Sequence, residues 1–387
     1  MNKRTVYADN NATTMVAPEV RDEMMPFLTD LYGNPSSMHL FGGQVKKHMD
    51  TAREKVAALI NADPSEILFT SCGTESDNTA IRSLLSARPD KKHVITTRVE
   101  HPAVRNLCQS LTNSGYRVTE LSVDKSGQMD LDELREVIDA DTALVSIMWA
   151  NNETGVVFPI EESAELVKSR GLPFHTDAVQ AVGKLPIDTK IIPFDLLAIS
   201  GHKLHAPKGI GALYIRKGTS LSPMLVGGHQ ESGRRAGTEN IPYIVGLGKA
   251  CEIARKNIDR EYREIKKLRD RLEHELIEKA LDASVNGDSQ NRLPNTTNIS
   301  FKYIEGESIL LLLSEQGIAA SSGSACTSGS LEPSHVLRAM GVPFTRVHGS
   351  IRFSLSRYNS DDDISYIVEK MLIIEKRLRE ISPFTDD

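Results

Sequence analysis

The chain has 387 residues, of which 40% are hydrophobic and 25% charged, the composition of an ordinary globular protein. That length is too great for one compact core, so we expect one large and one smaller domain. The formal net charge is −6, no basic block stands out, and only 5% of the residues are aromatic. These values argue against a nucleic-acid partner, whose surface needs clustered positive charge and stacking side chains.

The cysteines and the apolar segments indicate in which cellular compartment we expect the protein. The four cysteines are widely spread and form no CxxC pair: Cys72, Cys108, Cys251 and Cys326. Such spacing is no disulfide framework and fits a reducing compartment. The longest apolar stretch, residues 309–313, is far too short to span a bilayer, and the first residues lack the apolar core of a signal peptide. We therefore expect a cytoplasmic protein with no membrane partner.

Short apolar runs alternate with amphipathic helical stretches between about residues 50 and 250. The predicted strands are residues 66–70, 94–99, 143–150, 172–175, 196–200 and 211–215. The predicted helices are residues 74–85, 102–114, 131–138 and 160–169. Asp130 followed by Glu133 predicts a capping box at the start of the third of these helices. This alternation implies an α/β fold with a largely parallel sheet covered by helices on both faces.

The remaining chain predicts a second, smaller unit. Residues 255–280 are rich in charge and carry an apolar stripe, which is typical of a long solvated helix. Further predicted strands are residues 295–301, 318–320 and 350–356, and residues 362–381 predict a closing helix. We expect the long helix to bridge the two units.

Polar residues follow five of the predicted strands, at the point where each strand ends. They are Cys72 to Thr74, His101, Asn151 to Glu153, Asp177 with Gln180, and Ser200 to Lys203. In open α/β sheets, ligands bind at the carboxyl ends of the strands. Chance could place one or two such groups there, but five in succession predict a site.

Each of these residues also has a structural interpretation. Gly73 and Thr74 can form a plain turn and helix cap, or present free N–H groups to an anion. His101, which precedes a proline, can be an ordinary N-cap, and Asp177 can be a buried hydrogen-bond anchor. Lys203 is harder to explain in this way because lysines are rarely buried unless they are paired or reactive.

Taken together, the set suits one cofactor, pyridoxal phosphate. This cofactor needs a lysine for a Schiff base, a carboxylate that keeps the pyridine nitrogen protonated, and a phosphate cup. Lys203 and Asp177 supply the first two, and His101 can lie over the ring. The cup would be formed by the cluster of Thr74, Ser200 and His202. A zinc site at His202 and His205 is the competing interpretation, but no carboxylate or thiolate stands at a usual ligand spacing, so we expect no intrinsic metal.

Cys326 lies in a run of small residues, SSGSACTSGS at 321–330. Glycine and serine favour turns, so the sequence predicts a mobile, accessible loop at about residues 321–333. An accessible thiol can be a nucleophile or a sulfur carrier, although an isolated one is more often an incidental surface cysteine. The strand-end residues favour the first interpretation, because a cofactor that loosens a C–S bond needs a group that accepts the sulfur.

The motifs of the whole chain resemble those of the NifS/IscS cysteine desulfurases, which are class V, fold-type I pyridoxal-phosphate enzymes. The matching motifs run in order along the chain: ADNNATT (8–14), YGNPSSMH (32–39), TSCGTESDN (70–78), EHPAV (100–104), ANNETG (150–155), HTDAVQAVGK (175–184), SGHKLHAPKG (200–209), RRAGTEN (234–240), SSGSACTSGSLEPSHVLRAMG (321–341) and RFSLSRY (352–358). HKLHAPKG and the details of the cysteine loop are closer to NifS than to IscS.

The resemblance implies a fold-type I architecture. A large domain (15–257) would hold a mostly parallel seven-stranded sheet and bind pyridoxal phosphate. A smaller α+β domain (1–14 and 258–387) would carry the cysteine loop. The enzyme would be a homodimer.

The resemblance also implies roles for individual residues. Lys203 would form the Schiff base and move the α-proton, and His101 would stack on the ring and exchange protons with substrate. Asp177 would pair with the pyridine nitrogen and Gln180 would bind the ring hydroxyl. The residues that would hold the phosphate are Gly73, Thr74, Ser200, His202 and Thr238 of the partner subunit. Those that would bind the substrate carboxylate are Asn152 and Arg352, although a surface salt bridge is the alternative for Arg352.

The implied reaction converts L-cysteine to L-alanine. Cys326 would be the nucleophile that takes the sulfur as a persulfide, pass it to an acceptor and contact a cluster during transfer. The implied acceptor is an iron–sulfur scaffold protein similar to NifU or IscU. Two class V alternatives remain, a selenocysteine lyase and an aminotransferase for small amino acids, and the second would not need the Cys326 loop. A non-enzymatic docking protein would not need the Lys203, Asp177, His101 and Arg352 set.

Overall fold

The computed structural model describes residues 4–322 and 333–382. Cys326 and most of the predicted cysteine loop therefore lie outside the described residues. Within the described part no helix is both long and apolar enough to cross a membrane.

Strands and helices alternate along much of the described chain. The strands are β1 (Val6–Tyr7), β2 (Ile67–Thr70), β3 (His93–Thr97), β4 (Arg117–Leu121), β5 (Thr142–Ser146), β6 (Phe174–Asp177), β7 (Leu196–Ser200), β8 (Gly211–Ile215), β9 (Ala283–Val285), β10 (Thr296–Phe301), β11 (Ile318–Ala319) and β12 (Ser350–Ser354). The helices are α1 (Pro18–Met24), α2 (Pro26–Thr29), α3 (Leu40–Leu59), α4 (Gly73–Ser86), α5 (Pro102–Asn113), α6 (Leu131–Val137), α7 (Ile160–Ser169), α8 (Ile241–Lys279), α9 (Gly306–Glu315), α10 (His335–Ala339), α11 (Phe344–Val347) and α12 (Asp361–Ile381).

The main sheet has seven strands in the order β2-β8-β7-β6-β5-β3-β4. Only β8 runs antiparallel to its two neighbours, so the predicted mostly parallel sheet is confirmed. Successive residues of a strand point to opposite faces. In β7, Leu196 packs into one apolar cluster and Leu197 into another, so both faces of the sheet are covered.

The predicted elements differ from the structure in several places. They do not include helices α3 and α9. They also do not include β4, because this edge strand carries exposed or half-buried side chains and only Leu121 is buried. The capping box at α6 is only half formed. Asp130 caps the helix by accepting from the Asp132 N–H, but the Glu133 carboxylate accepts from the Ser122 N–H and hydroxyl instead.

The smaller unit has its own apolar core around the antiparallel sheet β12-β10-β9, which helices α9 and α12 cover. Helix α8 is longer than predicted, because it begins at Ile241 instead of residue 255. Its first part packs in the core of the large unit and its last part in the smaller core. The predicted domain division at 257/258 stays a prediction, and α8 runs through that position without a break.

Candidate active site

A cavity of about 310 Å³ opens at the carboxyl ends of the parallel strands. Of the predicted site residues, those that line it are Gly73, Thr74, His101, Asn152, Asp177, Gln180, Ser200, His202, Lys203 and Arg352. The other lining residues are Asn11, Ala12, Cys72, Asp77, Met148, Ala150 and Val179. The strand ends predicted from the sequence therefore do meet around one space.

The N-terminus of α4 forms one end of this cavity. Its N-cap residue, Cys72, makes no side-chain cap hydrogen bond, so the first N–H groups of the helix have no partner within the described residues. A Cβ atom added at Gly73 would lie 2.8 Å from Val179 Cγ2, so only glycine fits here without displacing the wall. Free N–H groups and the positive end of the helix dipole favour an anion.

His202 and the N-terminal segment form the next part of the wall. His202 Nδ1 lies 3.1 Å from the Thr13 hydroxyl, and the Thr14 hydroxyl donates to the His202 carbonyl. Burial, with the charge of Lys203 as the next cause, lowers the pKa of His202 to about 4. The ring is therefore neutral at neutral pH and can act as a hydrogen-bond donor without adding charge.

Asp177 ends β6 and has only 5% of its surface exposed. Its Oδ1 accepts from the Val179 N–H at 2.9 Å, so the structural role weighed from the sequence is present. Burial is the first cause that raises the pKa of Asp177, and the Val179 N–H and the charge of Lys203 oppose this rise. An ionised carboxylate this deep needs a protonated partner, which a pyridine nitrogen can provide.

His101 is the N-cap of α5, because its Nδ1 accepts from the Ala103 N–H at 3.1 Å. Burial is the main cause that lowers the pKa of His101. A neutral imidazole whose Nδ1 accepts a hydrogen bond carries its proton on Nε2. The capping contact thus fixes the tautomer of a ring that lines the cavity.

Lys203 ends the short helix that follows β7. Its Nζ donates to the carbonyl oxygens of Asn11 and, at 2.7 Å, of Ala12. The Gln180 Nε2 also donates to the Asn11 carbonyl, at 3.0 Å. The N-terminal segment therefore holds the lysine amine in the wall of the cavity.

Arg352 lies on β12 and is 3% exposed, so it does not form the surface salt bridge weighed from the sequence. Its guanidinium donates to Asp9 Oδ1 at 2.7 Å and to the Asn152 carbonyl at 2.9 Å. Its buried Nε has no hydrogen-bond partner among the described residues. A buried guanidinium with an unused donor is suited to a carboxylate ligand.

Sequence reasoning missed two polar residues of the cavity. Asn11 comes from the far N-terminus, and its side chain donates to the Asn152 carbonyl at 3.1 Å. Asp77 follows Gly73 by four residues on α4, so helical spacing alone could have placed it on the same face. Its buried Oδ1 lies 3.4 Å from His175 Nε2. Burial is the first cause that raises the pKa of Asp77.

The first residue of the predicted cysteine loop and the residue just after its end are held near Arg352 and Asn152. Ser321 exchanges two backbone hydrogen bonds with Arg352, at 2.7 and 3.2 Å. The Ser334 hydroxyl donates to Glu153, the neighbour of Asn152. Burial raises the pKa of Glu153 to about 7.

Thr238 is exposed and does not line the cavity. Its neighbour Arg235 binds the Glu75 carboxylate at 2.9 Å, so the segment that carries Thr238 is attached to the first turn of α4. Its predicted role belongs to the partner subunit's site and stays a prediction.

The imidazoles of the competing zinc interpretation have different partners. His202 Nδ1 faces the Thr13 hydroxyl, whereas His205 Nδ1 faces the Met15 carbonyl. No group of three or more His, Cys, Asp or Glu side chains suited to a metal occurs in residues 4–322 and 333–382.

These residues fit pyridoxal phosphate. The glycine-lined N-terminus of α4 can take its phosphate, and the buried Asp177 can take its pyridine nitrogen. The Lys203 amine lies in the same wall, and a lysine amine is the group to which this cofactor is covalently linked. The cavity volume of about 310 Å³ is at the lower end of the range of small-molecule sites.

Known proteins are similar to this chain in sequence and in fold. The chain matches the family model described as aminotransferase class-V over residues 6–367. It is 63% identical over 382 residues to a cysteine desulfurase of Trichormus azollae, which covers 99% of this chain and 96% of that protein. It is 57% identical to cysteine desulfurase NifS of Azotobacter vinelandii, over 98% of this chain and 94% of that one. A solved NifS-like protein superposes with a TM-score of 0.91 at 40% identity, and covers 97% of this chain and 100% of its own.

Proposed function

The chain belongs to the class V aminotransferase family and is a pyridoxal-phosphate-dependent cysteine desulfurase, and from this premise we propose that it moves the sulfur of L-cysteine onto Cys326 and then to an acceptor protein. One observation carries the proposal: Lys203, Asp177, His101 and Arg352 line a single cavity. An amine, a buried acid, a neutral imidazole and a carboxylate-binding cation are the groups that this chemistry needs.

The cofactor would be held at three points. The first N–H groups of α4, with Ser200 and His202, would hold its phosphate. Asp177 would hold its ring nitrogen in the protonated form, and Gln180 would bind the ring hydroxyl. When bound, pyridoxal phosphate supplies an electrophilic carbon for the substrate amine and a ring that accepts electrons from the α-carbon.

Arg352 and Asn152 would orient the substrate through its carboxylate. The Arg352 guanidinium is already fixed by Asp9 and the Asn152 carbonyl, so little side-chain entropy remains to be lost when the substrate binds. The α-carbon of a substrate held in this way would lie in the cavity that Lys203 also lines.

Lys203 and His101 would move the protons. The Lys203 amine would take the α-proton and return a proton as alanine forms. His101 carries its proton on Nε2, which suits it to exchange a proton with the substrate. For this role His101 must be neutral at neutral pH, and its burial favours the neutral form because it lowers the pKa of the ring.

Cys326 would accept the sulfur. Its thiolate attacks the substrate sulfur, a new S–S bond forms, and the Cβ–S bond breaks with its electron pair left on Cβ. The proton of the substrate thiol balances the new C–H bond, so L-cysteine and the Cys326 thiolate give L-alanine and the Cys326 persulfide. The anchoring of Ser321 to Arg352 and of Ser334 to Glu153 supports this role, since it starts and ends the cysteine segment beside the substrate carboxylate.

We expect the acceptor to be an iron–sulfur scaffold protein similar to NifU or IscU, and Cys326 to be the residue that contacts it or its cluster. The likeness to a protein named NifS supports this assignment. We also expect a cytoplasmic homodimer, in which Thr238 of the partner subunit completes the phosphate cup. The segment before Thr238 carries three exposed apolar residues, Met224, Leu225 and Val226. Their exposure supports the expectation that a second copy of the chain covers this segment.

Two variants test the catalytic roles. Cys326→Ala should keep the visible absorbance of the cofactor and its change on addition of L-cysteine, yet lose more than about 99% of alanine and sulfide formation, because only the sulfur acceptor is removed. Lys203→Ala should lose the absorbance of the covalently linked cofactor. The measurement is single-turnover absorbance together with the mass of the Cys326 peptide, which should gain one sulfur in the wild type.

Cys108→Ala is the matched control, because this buried thiol lies away from the cavity and burial raises its pKa to about 12. It should leave turnover unchanged. Undiminished turnover by Cys326→Ala would remove this cysteine from the mechanism.

A further inference from the structure

Lys184 is a half-buried lysine four residues after Gln180, outside the set of residues that line the active-site cavity. Its Nζ donates to the Gln180 backbone carbonyl at 2.9 Å and to the Gln180 side-chain oxygen at 3.3 Å. No carboxylate of the described residues lies within salt-bridge distance of Lys184. The burial of its charge is unfavourable, so these two hydrogen bonds are the contacts that offset the cost of burying this lysine.

The two contacts of the Gln180 side chain fix which way its amide faces. The oxygen accepts from Lys184, and the nitrogen donates to the Asn11 carbonyl at 3.0 Å. The same Asn11 carbonyl accepts from the Lys203 Nζ. Lys184, Gln180 and Asn11 therefore form a chain of hydrogen bonds that ends at the reactive lysine.

A second cavity, of about 40 Å³, lies behind this chain. Lys203 lines both cavities and so stands in the wall between them, with Lys184 on the rear side. The titratable or charged groups around Lys184 are Lys203, His202, His205, Glu261, Tyr262 and Arg357. The one acid of this set, Glu261, is paired with Arg357 at 2.7 Å and is not available to Lys184.

We propose that Lys184 is a positioning residue that sets the orientation of the Gln180 amide and, through it, the hydrogen bonding of Asn11 and Lys203. Lys184 does not line the active-site cavity and would not touch substrate. The inference rests on the function proposed above for Gln180 and Lys203. Without Lys184, the Gln180 oxygen loses the amine that donates to it and the amide can turn. Its N–H groups would then no longer be held toward the Asn11 carbonyl and the place where a ring hydroxyl of the cofactor would bind.

Loss of the Gln180 N–H as a donor to the ring hydroxyl would raise the pKa of the Lys203–cofactor linkage. The reason is that a hydrogen bond to the ring hydroxyl stabilises the form of the linkage that has lost its proton. The positive charge of Lys184 itself contributes little to this pKa above neutral pH, because Lys184 is then largely uncharged. Burial, with the charge of Lys203 as the second cause, lowers the pKa of Lys184 itself to about 7.

The test is a pH titration of the visible band of the holoenzyme. For Lys184→Met the midpoint should rise by about one pH unit, a tenfold change in proton affinity. Lys184→Arg keeps the donors and a positive charge, so its midpoint should lie at or below that of the wild type. In the Gln180→Ala background, Lys184→Met should add less than about 0.3 unit, since the lysine acts through that amide.

Two outcomes overturn the inference. One is an unchanged midpoint in Lys184→Met with full cofactor content. The other is a shift of equal size in the Gln180→Ala background, which would make Lys184 a distant charge instead of a positioning residue. Lys203→Ala separates this failure from that of the proposed function: if it keeps the linked-cofactor band, the role of Lys203 is wrong, whereas loss of the band without a Lys184 effect overturns only this inference.

Discussion

Glu100 is completely buried directly before His101, and its environment is unusual for an acid. Its Oε1 accepts from the Thr97 hydroxyl at 2.8 Å and the Met148 N–H at 2.9 Å, while its Oε2 has no partner among the described residues. Burial is the main cause that raises the pKa of Glu100, to about 8. The folded protein therefore holds this carboxyl protonated and neutral at pH 7.

This proton makes the stability of the protein depend on pH. Between the ordinary pKa of 4.5 and about 8, the folded chain keeps a proton that the unfolded chain releases, so stability falls as pH rises through that window. One such proton gives a slope of about 1.4 kcal/mol per pH unit. Glu100→Gln should remove it, so the variant should gain stability relative to the wild type from pH 5 to pH 8, as measured by urea unfolding.

Glu136→Gln, on the exposed face of α6, is the matched control and should leave the pH dependence as it is. If Glu100→Gln follows the wild-type stability in parallel across pH 5 to 8, then Glu100 is not protonated in the folded state.

Site residues differed in how far the sequence could predict them. Lys203, Asp177 and His101 follow strands, so the topology of a parallel sheet was enough to bring them together. Asp9 and Asn11 come from the N-terminal segment, and nothing local to them indicates that they contact Arg352 and Lys203. Their position depends on long-range backbone pairing, such as that of Asp9 with Ser354, which periodicity does not encode.

Helices α3 and α8 pack closely because small residues face each other at their contact. A Cβ atom added at Gly248 of α8 would lie 2.7 Å from Ala52 Cα and 2.8 Å from Ala52 Cβ. At the level of elements, the strand period predicted six of the seven strands of the main sheet, and the helical period predicted the helices between them. The predicted elements did not include helices α3 and α9 or the edge strand β4, whose side chains are largely exposed.

Gly248→Ala should therefore lower the free energy of unfolding by about 1–3 kcal/mol, because the added methyl forces the two helices apart. Gly43→Ala is the matched control in α3, since a Cβ there meets nothing within 4 Å. That substitution should stabilise the protein by about 0.5–1 kcal/mol through helix propensity. Urea unfolding of both variants checks the pair, and a neutral effect of Gly248→Ala would show that α3 and α8 can move apart at little cost.

At the scale of the whole molecule, the surface carries exposed apolar side chains in the segment before Thr238. Val226 is 89% exposed and is adjacent to Leu225 and Met224, which are also accessible. Monomeric proteins rarely leave such groups together in water, so we expect a second copy of the chain to cover them. The dimer would then complete each phosphate cup.

Val226→Glu should shift the protein toward the monomer and lower its cofactor content, because a charge is placed in the expected interface. Ile191→Glu is the control, since Ile191 is 66% exposed elsewhere on the surface and should tolerate the charge. Light scattering after size exclusion gives the mass of each variant. A dimer of unchanged stability in Val226→Glu, at micromolar concentration, would place the interface elsewhere.

Helix α8 has 39 residues, which at 1.5 Å per residue is about 58 Å of unbroken rod. Its residues Leu247 and Cys251 belong to the larger core, and Leu272 and Leu276 belong to the smaller one. If the chain were cut between the two cores, the part of α8 that packs in the other core would expose its apolar residues to water. The two lobes are therefore not exchangeable modules, and evolution or engineering can recombine them only by carrying the whole rod along with one side.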